Sequence, residues 1–93
     1  MSLTVKKVYI APMKCSNGVF FYVTIVNENS STITPYQSTH FERAVFESDV
    51  WADFFGLVAE RLEPNDYVSQ ETIDSGYKEG RKRTKFAHLN ASV

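Results

Sequence analysis

Ninety-three residues, 43% of them hydrophobic and 23% charged, make one domain with one modest core. The formal net charge is −1, and no stretch approaches the roughly 20 apolar residues of a membrane span. One cysteine, Cys15, excludes an internal disulfide and, with only two histidines, makes no structural zinc pattern.

Residues 1–7 have no long apolar block after their positive charges, so they do not read as a secretory signal. The expected setting is a reducing cytoplasm, with no cofactor and no membrane contact. Residues 3–11 alternate as a strand, with Val5, Lys7 and Tyr9 on one side and Lys6, Val8 and Ile10 on the other. Pro12 has no N–H to give a ladder, so the strand is expected to end there. Residues 12–18 then form a connection whose Asn17-Gly18 pair suits the positive φ of a tight turn.

Residues 19–26, Val-Phe-Phe-Tyr-Val-Thr-Ile-Val, give the strongest strand signal. The run is apolar on both parities, which marks a central strand. Phe20, Tyr22, Thr24 and Val26 form one face, and Val19, Phe21, Val23 and Ile25 the other. A helix layer on one side leaves one of these faces partly exposed. Residues 27–31 are a polar hairpin loop, and residues 32–37 a short third strand that Pro35 assigns to an edge.

Thr39 and Glu42 fit a capping box at the start of a helix. From Phe41 to about Leu62, Phe41, Ala44, Ser48, Trp51, Phe55, Val58, Ala59 and Leu62 share one broad face, expected to pack on the sheet. Pro64 and Asn65 stop the helix, unless Gly56 caps it earlier and leaves residues 57–62 as a short second element. Beyond Pro64, Tyr67, Val68, Ile73 and Tyr77 are too widely spaced to assign, and could pack over the core as a loop or short helix. The expected fold is α+β: a three-stranded antiparallel sheet packed by one long helix. It forms a single domain over residues 1–77, with a flexible basic arm over residues 78–93. The strand at residues 3–11 has an edge free to pair with another chain, which opens a route to a homodimer. The monomer is the alternative if the arm covers the open sheet face.

Charge is unevenly placed. Residues 1–41 hold Lys6, Lys7 and Lys14 against Glu28, residues 42–74 hold nine acids against Arg43 and Arg61, and residues 75–93 hold five bases against Glu79. Such a chain either recognises a charged partner or neutralises its body with its own tail. Catalysis finds little support. Cys15 and His40 make a conceivable thiol–imidazole pair, but nothing brings them together. Cys15 equally suits a half-buried filler, and His40 local contacts. Four glycines make no phosphate loop. The protein is not expected to be an enzyme.

Lys78, Arg81, Lys82, Arg83 and Lys85, flanked by Tyr77 and Phe86, read first as a solvated tail. The alternative is nucleic-acid binding, with the cations on phosphates and the rings on bases; the acidic body weighs against it. Glu42, Asp49, Asp53 and Glu60 fall within about 20° of one helical line about 27 Å long. Phe46, Val50 and Leu57 lie beside them, away from the core face. An acidic line alone is the wet side of an amphipathic helix; apolar neighbours give it the make-up of a protein-binding patch. The expected function is a small, non-enzymatic protein-binding or inhibitory protein whose partner carries a basic surface.

The segment Pro35-Tyr36-Gln37-Ser38-Thr39-His40-Phe41-Glu42-Arg43-Ala44 through Glu47, with Val50-Trp51-Ala52-Asp53-Phe54-Phe55-Gly56-Leu57, resembles the strand-to-helix core of small phage- or prophage-encoded accessory proteins. The resemblance implies a compact, non-enzymatic protein that engages a host factor in the host cytoplasm. It transfers no functional residues.

Overall fold

Strands β1 (Val5–Cys15), β2 (Gly18–Asn27) and β3 (Thr32–Ser38) form one antiparallel sheet in the order β1-β2-β3, followed by helices α1 (Phe41–Phe54) and α2 (Gln70–Ala91). The computed structural model describes residues 4–91, with side chains described as far as residue 81. The architecture is α+β, and β2 is central, as its two-sided apolar run predicts. Val8 pairs with Ile25, Ile10 with Val23, and Val23 with Tyr36. Val8, Ile10, Phe21, Val23 and Ile25 are buried with Phe41, Ala44, Val45 and Ala52 of α1. Val68, Ile73 and Tyr77 join the same core. Each fully buried valine or isoleucine contributes about 1.5–3 kcal/mol relative to exposure. The Phe41 ring lies 5.0 Å from Phe21 and 5.3 Å from Tyr77, so one aromatic links the sheet, α1 and α2.

β1 runs through Pro12 to Cys15, where residues 3–11 were expected. The strand is an edge, so the missing N–H removes no ladder bond when it would have pointed outward. The turn that follows is the Ser16-Asn17 pair, with Cys15 opposite Gly18, and Gly18 takes φ +129°. A register shift between Val5 and Lys7 puts Val5 against the core and leaves Lys7 with Tyr9 on the opposite face.

The capping box does not form. His40 occupies the N-cap position without a side-chain cap bond, and the Thr39 hydroxyl lies 3.3 Å from His40 Nδ1. Nor does one long helix reach Leu62. Gly56, at φ +70°, closes a Schellman motif: the Leu57 N–H donates to the Ala52 carbonyl at 2.8 Å and the Gly56 N–H to Asp53 at 3.0 Å. Residues 57–62 continue without regular structure, and the Glu60 N–H donates to the Val8 carbonyl at 2.9 Å. The β1 edge is therefore partly occupied by the chain itself.

A 22-residue helix, α2, stands where a loose C-terminal arm was expected, and it crosses the expected boundary at residues 77 and 78. Ser69 opens it: its hydroxyl accepts the Thr72 N–H at 3.2 Å. α2 packs on α1 through glycines. A Cβ at Gly80 would stand 2.6 Å from Val45 Cβ and 2.8 Å from the Glu42 carbonyl oxygen, and one at Gly76 would run into the Phe41 ring. Small residues one turn apart let two helices approach this closely. Among the described residues, no helix is long and apolar enough to cross a membrane.

Candidate functional site

The last turns of α1 carry apolar side chains that the core does not take up. Phe46, Val50 and Phe54 follow one another at four-residue spacing, so they stack along one line of the helix. Exposure grows along that line: Phe46 is half-buried, Val50 is 42% exposed and Phe54 77%. Phe54 stands edge-on to Phe55 at 5.1 Å and to Trp51 at 6.3 Å, while Trp51 and Phe55 stack at 6.1 Å. Trp51 and Phe55 are half-buried and packed against the core, so Phe54 projects from a fixed aromatic base. Val58, just past the Schellman turn, is 88% exposed and not on the core face expected of it.

The acidic line is divided. Glu42, Asp49 and Asp53 lie on α1, but Leu57 and Glu60 fall beyond its end. α2 passes over the Glu42 end, with Gly80 close to the Glu42 carbonyl. Burial pushes the Asp49 carboxyl above the usual range, and the positive charge of Arg81 partly opposes this. The Arg81 charge on α2 thus acts on an acid of α1. Asp53 remains exposed beside Val50 and Phe54. The structure thus keeps Phe46, Val50 and Asp53 together on α1, adds Phe54, packs Leu57 against the core and bonds the Glu60 N–H to Val8 of β1. Phe54 continues the four-residue spacing of Phe46 and Val50, a signal already present in the sequence.

The basic segment is also rearranged. Tyr77 is buried; its hydroxyl accepts the Leu62 N–H at 2.6 Å, and Arg61 and Arg81 lie over its ring at 4.4 and 5.2 Å. That ring offers no free face for a base. Lys78 and Arg81 are exposed, whereas the side chains of Lys82, Arg83, Lys85 and Phe86 lie outside the described residues.

A cleft of about 370 Å³ between the starts of α1 and α2 is lined by His40, Glu42, Glu71 and Thr72, among others. The His40 ring meets Thr39, and the Cys15 thiol lies 3.8 Å from the Met13 carbonyl. No bond joins Cys15 to His40 among the described residues. No protein-family model matches the chain, and no similar curated protein or solved structure was found.

Proposed function

We propose that this chain is a non-enzymatic binding protein that seats the end of α1 in a pocket of a partner protein. The observation that carries the reading is Phe54, 77% exposed on a Trp51–Phe55 base. Aromatic anchors held rigid before contact lose little conformational entropy on binding and dominate interface energetics. Val50, on the same line of α1, widens the apolar patch, and Asp53 beside it selects a partner with a basic rim. An inhibitory or accessory role towards a host factor follows from the resemblance to phage-encoded proteins.

The test is affinity capture from lysates of the source cell or its host, with the parent and with Phe54→Ser and Asp53→Lys. Both variants alter exposed side chains and are expected to keep a melting curve close to the parent's. A specific partner held by the parent and lost by both supports the proposal. A partner held equally by all three overturns it.

A further inference from the structure

Ser16 and Asn17 form the turn between β1 and β2, both exposed, and the Cys15–Gly18 pair closes it. Among the described residues, no hydrogen bond holds the Asn17 side chain. Gly18 follows it at φ +129°, with nothing within 4 Å of where a Cβ would stand. The Gly18 nitrogen therefore has no side chain shielding it, and the backbone there rotates with little steric cost.

The other asparagines with described side chains are tied down. The Asn27 amide donates to the Ser31 hydroxyl at 3.0 Å, and the next backbone N–H, that of Glu28, donates to the Thr4 carbonyl at 2.9 Å. The Asn29 side-chain oxygen accepts the Ser31 N–H at 3.1 Å and its hydroxyl at 2.6 Å, while the Ser30 N–H donates to the Asn27 carbonyl at 2.9 Å. The Asn65 side chain bonds the Glu63 carbonyl at 3.2 Å and the Tyr67 N–H at 2.7 Å.

We infer that Asn17 is a site of spontaneous covalent modification, deamidating through a cyclic imide to aspartate and isoaspartate. The Gly18 amide gives its proton to solvent base, and its nitrogen attacks the Asn17 side-chain carbonyl carbon. The bond from that carbon to the side-chain nitrogen breaks, and the nitrogen takes a proton from water and leaves as ammonia. A five-membered succinimide then joins Asn17 to Gly18. Water opens the ring at either carbonyl. Cleavage at the side-chain carbonyl leaves aspartate, and cleavage at the backbone carbonyl leaves isoaspartate. The net change is water taken up and ammonia released, with no oxidation or reduction. Gly18 belongs to the closing pair of the ladder, so attack waits for the hairpin end to open. No pair lies beyond it in the turn, and such a local opening costs far less than global unfolding. Both products add a negative charge close to Lys14, and isoaspartate lengthens the turn backbone by one methylene. The turn lies outside α1, so this conversion stands or falls separately from binding through Phe54.

The experiment is incubation of the full chain at about 37 °C, at about pH 6 and about pH 8.5, followed by digestion in acid and peptide mapping by mass spectrometry. The expected result is a gain of about 1 Da in the peptide that carries Asn17. It should form at least about tenfold faster than in the peptides carrying Asn27, Asn29 or Asn65. The rate should rise with pH, because the attacking nitrogen must lose its proton. Part of the product should be isoaspartate, read by enzymatic carboxyl methylation. Asn17→Gln should abolish the gain, since its longer side chain would have to close a six-membered ring. An Asn17 that stays unconverted, or converts no faster than the other three, overturns the inference. So does conversion to aspartate alone, which would mean direct hydrolysis without the imide.

Discussion

The Tyr77 hydroxyl accepts the backbone N–H of Leu62 at 2.6 Å, and this bond fastens the irregular 57–69 connection to α2. Arg61 supports the same junction: its guanidinium lies over the Tyr77 ring and bonds Asp74 at 2.9 Å. Exposed pairs such as Arg61–Asp74 contribute little. The tyrosine hydroxyl is the stronger tie, since without it a part-buried N–H has no acceptor. Tyr77→Phe keeps the ring and removes the hydroxyl. It is expected to cost about 1–2 kcal/mol, measured by urea unfolding. An unchanged midpoint would show that water replaces the bond without loss.

Gly80 and Val45 set how closely α2 approaches α1. Alanine is the better helix former by about 1 kcal/mol, so an unconstrained helix would gain from Gly80→Ala. Here the new methyl meets Val45 and the Glu42 carbonyl, and that carbonyl belongs to backbone that cannot rotate away. The expected result is a net loss of about 1–3 kcal/mol. A thermal melt equal to or above the parent's would mean that the helices can separate freely.

Glu60 gives the β1 edge its one backbone partner from the connection, through the bond to Val8. Glu60→Pro removes that donor. The variant should lose about 1 kcal/mol and expose an edge able to pair with another chain. Light scattering over a concentration series should show its mass rising more steeply than the parent's. Superimposable curves would show that other features protect the edge.

Asp49 gives stability a pH dependence of known sign. Burial raises its carboxyl above the ordinary value, against the pull of Arg81. The folded state therefore holds the proton to higher pH than the unfolded chain. This group's stabilisation is full below the unfolded value and is lost as pH rises through the raised one. Asp49→Asn should melt above the parent at pH 7, and the two should converge near pH 3, below ordinary carboxylate values. A difference that stays constant with pH would assign the effect to packing.

The strands, their order and the central place of β2 were legible because alternation and β-branched content are local properties. Phe41, Ala44 and Ser48 were likewise placed on the core side by helical spacing alone. The end of α1 was readable only as an alternative, because a glycine caps a helix or continues it according to what packs beyond. α2 was readable at most as a short helix over the core, because its inner line is Ile73, Gly76, Tyr77 and Gly80. Two of those four are glycines, which intrinsic propensity counts against a helix. Only the tertiary structure turns them into contact points, since the missing Cβ atoms are what Phe41 and Val45 fill. The same packing decided the candidate site. The sequence by itself determined an acidic, partly apolar helix surface. Whether each member faced solvent depended on where α2 lay, and that placement removed Tyr77, screened Asp49 and left Phe54 exposed.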